Sequence, residues 1–557
     1  MSFPAGPAAP PATEYHTESF TDGERATLDR FFTSTTGPVF ALVDLPEVVK
    51  AALFARYSRT TKSLRRLFLD EFHDAPEVGI AAVAGRIDPH DPATGRRKAE
   101  ALFDRVFTEY GDDSVAQLGA AHLACEQASN LLTKVLEWGR IASYLEQSTR
   151  YLYYDRKLGG RYRYLVPAEV EAAGLGGEYR AVQDASFATY SALTGRLTAY
   201  YESLFPQQAG DSDFVYRSTI RAKVCDDLRG LLPASTLSNV GIHASGQAYE
   251  AMLIRMLAHP LEEVRFYAGL MLEELRKVIP SFLRRVDLPD RGSAWTRYLA
   301  DTAQAMREIG TGIGEPPEDR PEVTLVEWDP DAERKVATGA LYAVTDLPDD
   351  QVAAYVSRLP DTEIGRIISA YAGDRVNRRH KPGRAVERVA YRFDILCDYG
   401  IFRDLQRHRL LTLEWQRLGV GHGYLTPSSL SEIGGVAGWD QAMDRSAGLH
   451  RLLAERVGAE VAQYAVPFAY KIRFYLHLDA REAFHLLELR TGRGGHPGYR
   501  RVCQEMHRLI RDQAGHTRIA AAMRYVDHGG ADLERLDSER KAAARRAAAG
   551  VAEPGSE

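Results

Sequence analysis

Helical periodicity dominates the pattern of apolar and polar residues along this chain. Apolar positions recur every three to four residues over long stretches, as expected for helices that bury one face. Shorter stretches with strand character are "YRYLVP" (162–167), "VTLVEW" (323–328) and "AYRFDIL" (390–396). The pattern therefore predicts an α+β fold that is rich in helices. The segments with helical periodicity are 118–137, 247–279, 351–372, 440–463 and 498–523.

The order of these pieces repeats along the chain. An apolar, strand-like start runs into an alanine-containing helix near 39–57 and again near 323–342. Further pieces follow in the same order in both parts of the sequence. We interpret this order as a tandem duplication with a central sheet in each repeat. The other matched pieces are 225–235 with 460–470, and 249–268 with 482–502.

Segments of biased composition separate the repeats. Residues 310–323, "GTGIGEPPEDRPEV", predict a linker because their Gly and Pro end any preceding helix. The chain starts with a Pro/Ala-rich stretch that is typical of disorder. The predicted organisation is a disordered N-terminal extension (1–35), a first repeat (36–290), a helix and linker (291–321), a second repeat (322–530) and an Ala/Arg/Glu-rich tail (531–557).

Length, net charge and cysteine spacing exclude several classes of protein. With 557 residues the chain is too long for one core, and its net charge of −6 does not favour general nucleic-acid binding. Any anion site must therefore be a local concentration of arginine. The four cysteines stand singly, which argues against a disulfide framework or a zinc site and fits a reducing compartment. Without a signal peptide or a membrane-length apolar run, we expect a cytoplasmic protein with no membrane contact.

The stretch "QRHRLL" (406–411) places two arginines around a histidine. Arg407 and Arg409 would diverge by about 200° on a helix but face the same side in extended or irregular backbone. Neighbouring leucines predict partial burial, and a buried arginine needs a carboxylate or a ligand. One interpretation is a structural ion-pair node with Asp404 or Glu414, and the other is an anion-binding site.

A second polar cluster lies about 260 residues earlier in "YLEQSTRY" (144–151). Its carboxylate, amide, hydroxyl and guanidinium can together hydrogen-bond a phosphate and a polar ring. The alternative is the solvated end of a helix followed by a turn. A third stretch, "TGRGGHPGY" (491–499), lacks the Lys-Ser/Thr of a phosphate loop and predicts a glycine-rich break between two helices.

Together these clusters resemble the flavin-dependent thymidylate synthases, whose motif is R-H-R-x-x-S-x-N-E-x-S-x-R-Y. The first repeat keeps the late part of the motif but lacks its opening Arg-His, and the second repeat keeps the opening but loses the late part. Each repeat has what the other lacks. The residues kept are Arg140, Ser143, Glu146, Ser148, Arg150 and Tyr151 in the first repeat, and Arg407, His408 and Arg409, with Thr412 for Ser, in the second.

The C-terminal signature of that family divides in the same way. It consists of A-R-x-x-L-P and then N-A-R followed by a helix that ends in L-R. The first repeat keeps the early arginine, Arg229, in "LRGLLP". The second repeat has Gln463 at that place but keeps Arg481 and Arg490, with Asp479 for the asparagine. The resemblance therefore implies one composite site that takes residues from both repeats.

The resemblance also implies an activity. With FAD as cofactor and methylene-tetrahydrofolate and NADPH as co-substrates, such an enzyme converts dUMP to dTMP, and its subunits would form a homodimer acting as a pseudo-tetramer. Arg490 is the implied catalytic residue, and no metal is implied. The implied cofactor-binding residues are Arg407, His408, Arg409, Glu146, Arg481 and His485. The implied substrate-binding residues are Gln147, Ser148, Arg150, Arg229, Arg407 and Arg490.

Two alternatives stay open. Asp404 stands where the family usually has a glutamine that reads the pyrimidine, which would suit a flavin enzyme that modifies another pyrimidine nucleotide. The degenerate half-motifs would also suit a non-catalytic, nucleotide-binding paralogue.

Overall fold

A computed structural model describes residues 18–36, 40–45, 47–57, 62–73, 117–157, 159–208 and 211–530. The α+β class is confirmed, because helices cover two separate antiparallel sheets. The buried apolar side chains form one continuous core that extends through both halves of the chain. The halves are therefore packed into a single body, and the expectation that a chain of this length has more than one core is wrong for the described residues.

Each half of the chain contributes one sheet. The first sheet has the strand order β1-β3-β2, and the second has the order β4-β5-β7-β6. Three strands correspond between the sheets, since β1, β2 and β3 take the places of β5, β6 and β7, and β4 is an added edge strand. The strands are β1 (Ala120–Ser129), β2 (Ser143–Glu146), β3 (Leu237–Ser245), β4 (Val323–Trp328), β5 (Ala390–Asp398), β6 (Thr412–Trp415) and β7 (Lys471–Asp479).

The helices of the first half include a long one of 29 residues and several of a single turn. Residues 229–231 add a 3-10 turn and residues 68–73 a π-helical turn. The α-helices are α1 (Asp22–Leu28), α2 (Glu47–Tyr57), α3 (Leu64–Leu67), α4 (Asn130–Leu136), α5 (Ala168–Ala172), α6 (Gly176–Leu204), α7 (Asp213–Leu228), α8 (Gly246–Leu257), α9 (Glu262–Val278) and α10 (Gly292–Thr311).

The helices of the second half follow the same plan. Helix α14 follows β5 as α4 follows β1, and α18 follows β7 as α8 follows β3. The α-helices are α11 (Ala332–Tyr342), α12 (Asp349–Ser357), α13 (Asp361–Ala372), α14 (Tyr399–Leu405), α15 (Ser429–Glu432), α16 (Val436–Arg456), α17 (Ala459–Ala462), α18 (Ala480–Arg490), α19 (Pro497–Asp512) and α20 (Thr517–Ala522).

The repeat is also visible in how the helices start. Ser129 and Asp398 end the corresponding strands β1 and β5 and accept the hydrogen bonds that begin α4 and α14. Ser245 and Asp479 do the same for α8 and α18. Because an oxygen-bearing N-cap satisfies backbone donors that the helix leaves unpaired, these four residues fix where each strand turns into a helix. The predicted duplication is confirmed.

The two halves join through backbone hydrogen bonds between corresponding segments. Pro233 and Pro467 face each other in an antiparallel bridge. The amide of Phe468 donates to the carbonyl of Leu232 at 2.9 Å, and the neighbouring residues pair in the same way. A Cβ at Gly230 would come within 2.5 Å of the ring of Trp439, so the close packing of this joint requires glycine there.

Several local predictions fail where long-range pairing decides the structure. Residues 118–137, predicted to be helical, form β1 over Ala120–Ser129 and become helical only from Asn130. The stretch 162–167, predicted to be a strand, contributes one isolated bridge at Tyr164. By contrast, "VTLVEW" and "AYRFDIL" lie in β4 and β5 as predicted.

Predictions for the chain ends have mixed outcomes. Disorder is the wrong prediction for residues 18–35, because α1 lies there and Phe20 and Leu28 are buried. The remainder of that extension and the tail at 531–557 lie outside the described residues. After α10 ends at Thr311, the chain forms no helix or strand until Val323. Among the described helices, none is both long and apolar enough to cross a membrane.

Candidate functional site

A cavity of about 400 Å³ lies where the two halves meet. Seven arginines line it, and Asp404 is the one carboxylate among its described lining residues. We call it the arginine cavity. Its walls from the first half include Ser148, Thr149, Arg150, Tyr151 and Arg229, and those from the second half include Arg378, Arg403, Asp404, Arg407, Arg490, Arg493 and Tyr499.

The two polar clusters found in the sequence meet at this cavity within one chain. Arg407 lies just beyond the end of α14, in non-helical backbone. Its Nη2 donates to Oε2 of Glu146 at 2.8 Å, across 261 residues of sequence. One turn earlier on α14, Arg403 donates to Oε1 of the same carboxylate at 2.8 Å. The interpretation as a composite site is therefore structurally possible without a second chain.

Glu146 is the anchor of this wall. Its side chain is fully buried, and Nζ of Lys134 lies 3.3 Å from its Oε2. Burial alone would raise the pKa of Glu146, but the charges of Arg403, Lys134 and Arg407 outweigh burial and hold the pKa far below its usual range. Both carboxylate oxygens are bonded to protein cations. Glu146 therefore holds the arginines in place, and its predicted contact with a cofactor would need one of these bonds to break.

Two other arginines of the cavity are held by carboxylates. Arg150 makes two bonds to Asp226, at 2.6 and 2.8 Å, and a third to the hydroxyl of Tyr499 at 3.1 Å. Nη1 of Arg229 donates to Asp404 at 3.0 Å, whereas Nη2 of Arg229 is buried and has no hydrogen-bond partner among the described residues. A buried guanidinium nitrogen without a partner is costly, so its environment favours an anionic ligand.

The structure rejects the local ion-pair node as an explanation of "QRHRLL". Asp404 bonds to Arg229 of the other half, and Arg407 bonds to Glu146. Burial would raise the pKa of Asp404, but Arg229 and other nearby arginines outweigh it and lower the pKa far below the usual range. Asp404 is thus a fixed negative charge inside a positively charged cavity.

His408 and Arg490 are in direct contact, although His408 lines a neighbouring groove and is not among the residues that line the arginine cavity. Nε of Arg490 donates to Nε2 of His408 at 2.9 Å, and Nδ1 of His408 lies 2.8 Å from Glu482. Arg490 ends α18, and its guanidinium lies 5.3 Å from the ring centre of Tyr499. Among the described residues, none bonds to its two terminal nitrogens. Arg490 therefore reaches the cavity with donors still available.

Other predicted site residues lie elsewhere. Arg409 lines a separate groove of about 1290 Å³, which also contains Trp138 and Arg255. Gln147 lines a third cavity, and its backbone amide bonds to Asn239 on β3 at 2.8 Å. Neither residue is among those that line the arginine cavity.

Arg481 and His485 lie on the surface of α18. Arg481 donates to the carbonyl of Pro382 at 3.1 Å and lies near Glu387. The side chain of His485 is 46% exposed and its Nδ1 is 3.3 Å from Glu482. Neither is among the residues that line the arginine cavity. Their predicted role in binding a cofactor stays a prediction.

Several residues of the site were missed from the sequence. Arg403 carries a usable signal, because it precedes Arg407 by one helical turn and so shares its face of the chain. Arg493 and Tyr499 belong to "TGRGGHPGY", a stretch that predicted only a break between two helices, yet both line the cavity. The others are recognised only through their positions and contacts in the structure, and they are Lys134, Asp226, Arg378 and Glu482.

The four cysteines are all buried, and none of them forms a disulfide. Burial raises the pKa of Cys125 to about 11 and that of Cys503 to about 12. Because the thiolate is the reactive form, these two thiols are poor nucleophiles. Cys397 is affected in the same direction.

Comparison with known proteins identifies the family. A family model described as "Thymidylate synthase complementing protein" matches residues 69–281 and 324–514, once for each half. The chain belongs to the thymidylate synthase complementing family. The double match corresponds to the duplication seen in the sheets and confirms the resemblance found in the sequence.

Two relatives match this chain across both of its halves. A UPF0159 protein of Chlamydia pneumoniae is 37% identical over 94% of this chain and 98% of its own length. A UPF0159 protein of Thermoplasma acidophilum is 29% identical over 88% of this chain and 97% of its own. Among solved structures, a UMP/dUMP methylase, PolB, from Streptomyces cacaoi bound with 5-Br dUMP shows 16% identity and a TM-score of 0.31, covering 37% of this chain and 96% of that one.

One departure from the family's motif has a structural explanation. Asp479 replaces an asparagine and accepts the amide of Glu482 at 2.8 Å as the N-cap of α18. Asparagine and aspartate cap helices about equally well, so the replacement preserves this function.

Proposed function

We propose that this chain is a flavin-dependent thymidylate synthase with one active site, the arginine cavity, in each chain. The reaction takes dUMP, methylene-tetrahydrofolate, NADPH and a proton to dTMP, tetrahydrofolate and NADP⁺. The observation that carries the proposal is the cavity itself. Half-motifs that are incomplete in each repeat are brought together there, in a chain that belongs to the thymidylate synthase complementing family.

The charges of the cavity suit a nucleotide monophosphate. The unpartnered Nη2 of Arg229 and the exposed part of Arg407 offer N–H donors to a phosphate dianion. Ser148 lines the same wall and adds a hydroxyl. A hydrogen bond to a charged group is worth about 1.5–3 kcal/mol, so two or three of these contacts contribute about 3–9 kcal/mol, compared with about 8 kcal/mol for micromolar binding.

Arg490 is suited to the chemical step. Its terminal nitrogens have no partner among the described residues and can stabilise negative charge that develops on the pyrimidine ring when C5 attacks. Two of the buried thiols have pKa values of about 11 and 12, which fits a mechanism that needs no cysteine nucleophile.

The donor set also fits a flavin. Arg409 has N–H groups in the neighbouring groove, and Arg481 and His485 have N–H groups at the surface of α18. A flavin dinucleotide needs such donors for its pyrophosphate and ring oxygens. When bound, FAD would supply hydride transfer. Arg481 and His485 are exposed, and we expect a second copy of the chain to cover them and complete the flavin site. The protein would then be a cytoplasmic homodimer that acts as a pseudo-tetramer.

Asp404 favours testing a second substrate class. A fixed carboxylate in the cavity can accept a hydrogen bond from the amino group of a cytosine base as well as from the N3–H of uracil, so a pyrimidine nucleotide other than dUMP is the alternative. A non-catalytic nucleotide-binding protein is the remaining one.

The visible spectrum and product analysis test the proposal. Purified protein loaded with FAD should be yellow, dUMP should perturb the flavin absorbance, and label from methylene-tetrahydrofolate should appear in dTMP. Parallel reactions with UMP and dCMP decide between substrates, and turnover with either but not with dUMP would replace the first assignment. Binding of dUMP without turnover would favour the non-catalytic alternative, and failure to retain FAD would reject the flavin.

A further inference from the structure

Glu482, His408 and Arg490 form a hydrogen-bonded chain behind the arginine cavity. Glu482 Oε1 lies 2.8 Å from His408 Nδ1, and His408 Nε2 lies 2.9 Å from Arg490 Nε. The side chains of His408 and Glu482 are 2% and 3% exposed. Solvent therefore has little access to either bond.

The identity of the donors fixes the tautomer of His408. An arginine Nε–H can only donate, so Nε2 of His408 must be the acceptor. The ring proton then lies on Nδ1 and is donated to Glu482. Burial, together with the charge of Arg490, lowers the pKa of His408 to about 4, so the ring is neutral at pH 7. If both nitrogens of the His408 ring carried a proton, the Nε2–H of His408 would face the Nε–H of Arg490.

We propose that Glu482 and His408 are positioning residues that orient Arg490 for the chemical step. This inference rests on the proposed function. An arginine side chain loses much rotamer freedom when it is fixed in one orientation, and here the bond from His408 to Nε fixes it before a ligand binds. The terminal nitrogens of Arg490 remain for the cavity. Donors held in place in this way need no reorganisation as charge develops.

The same atoms can be considered as a metal site. One ligand atom each of His408, Glu482 and His485 lies within 4.8 Å of the others, and two histidines with one carboxylate can bind a transition metal. A metal on Nδ1 of His408 would require a proton on Nε2. That proton would face the Nε–H of Arg490 at 2.9 Å between the nitrogens. The contact with Arg490 therefore favours the hydrogen-bonded chain.

The first test uses two substitutions of one residue. Glu482→Met removes the acceptor for His408, whereas Glu482→Gln retains an oxygen that can accept the Nδ1 proton. We expect Glu482→Met to lower kcat for dTMP formation by about 10- to 100-fold. This is the size of the loss when a residue that orients a metal-ligating side chain is substituted. The KM for dUMP should change less than about threefold, because ground-state binding is retained. Glu482→Gln should recover most of the loss, and Glu363→Met on α13 should have no effect.

The second test does not depend on activity. Long-range ¹H–¹⁵N spectra of full-length protein with labelled histidine report which ring nitrogen carries the proton, and a His408→Leu variant assigns the signal. We expect His408 to be protonated on Nδ1 from pH 6 to 8, and addition of Zn²⁺ or Mn²⁺ to leave its signal in place.

The outcomes separate this inference from the proposed function. A proton on Nε2, a metal-induced shift of the His408 signal, or unchanged kcat in Glu482→Met would overturn the positioning role. If wild-type protein does not convert dUMP but His408 is protonated on Nδ1, the proposed reaction fails while the hydrogen-bonded chain stands.

Discussion

Asp404 in the second half of the chain and Arg229 in the first form an ion pair inside the arginine cavity, with 3.0 Å between Oδ2 and Nη1. Both side chains are almost fully buried, so the carboxylate both stabilises Arg229 and competes with any anion for it. Considered in the sequence alone, the charge of Asp404 would oppose nucleotide binding, and the structure shows that Arg229 compensates this charge.

Asp404→Asn tests this competition. Breaking a buried ion pair leaves an uncompensated charge, so we expect the variant without ligand to unfold more easily, by about 3 kcal/mol. The freed Nη1 of Arg229 should then bind phosphate more tightly, and dUMP affinity should rise by about tenfold. Thermal unfolding with and without dUMP measures both effects. A smaller ligand-induced shift in the variant than in the wild type would show that Asp404 assists nucleotide binding.

Glu146→Gln tests the anchor of the cavity wall. The substitution removes the negative charge that Lys134, Arg403 and Arg407 share, and we expect a loss of about 3–5 kcal/mol in unfolding free energy. Urea unfolding gives this value. Glu327→Gln, which disrupts an exposed pair with Arg392, is the matched control and should change little. Equal effects of the two substitutions would contradict the role assigned to Glu146.

Two glycine substitutions test the joint between the halves. Gly230→Ala brings a Cβ within 2.5 Å of Trp439, and we expect a cost of about 1–3 kcal/mol. Gly195→Ala on α6 has nothing within 4 Å of the added atom, and we expect a gain of about 0.5–1 kcal/mol from helix propensity. Differential scanning calorimetry should show shifts of opposite sign. A Gly230→Ala variant with unchanged thermal stability would show that the packing around Trp439 can adjust to the added methyl group.

The pH dependence of stability provides a test at Asp398, the N-cap of α14. Burial raises the pKa of Asp398 from 3.8 to about 6, against the attraction of Arg229. Between these values the folded chain binds more protons than the unfolded chain, so this residue makes stability fall as the pH rises through that window.

Asp398→Asn should remove that dependence, since asparagine also caps helices. Relative to the wild type, the variant should gain up to about 3 kcal/mol at pH 8, and the gain should disappear near pH 4. Urea unfolding at the two pH values measures the difference. A pH-independent effect of Asp398→Asn would refute the assignment.

How much the sequence predicts depends on where the stabilising contacts lie. Strands β4 and β5 were predictable because their own alternation of apolar and polar residues is strong. Strand β1 was not, because its alanines favour a helix and its pattern is interrupted by a bulge at Gln127, which has a φ of 56°. Pairing with the nine-residue strand β3 overrides that local preference.

The candidate site follows the same rule. Motif spacing located Arg150, Arg229 and Arg490, since their order along the chain carries the resemblance. It did not predict which side chains would face the cavity. That orientation depends on residues outside every motif, such as Lys134 beside Glu146 and Glu482 beside His408.

The paired backbones at Pro233 and Pro467 have a further consequence. A site whose walls come from separate chains falls apart on dilution, whereas two walls tied by one polypeptide face each other at an effective concentration that no change in protein level can alter. The two walls are also always synthesised in equal amounts, and neither can be exchanged for a foreign copy. Because one chain supplies both walls, the cavity forms when the chain folds and does not depend on the association of two chains.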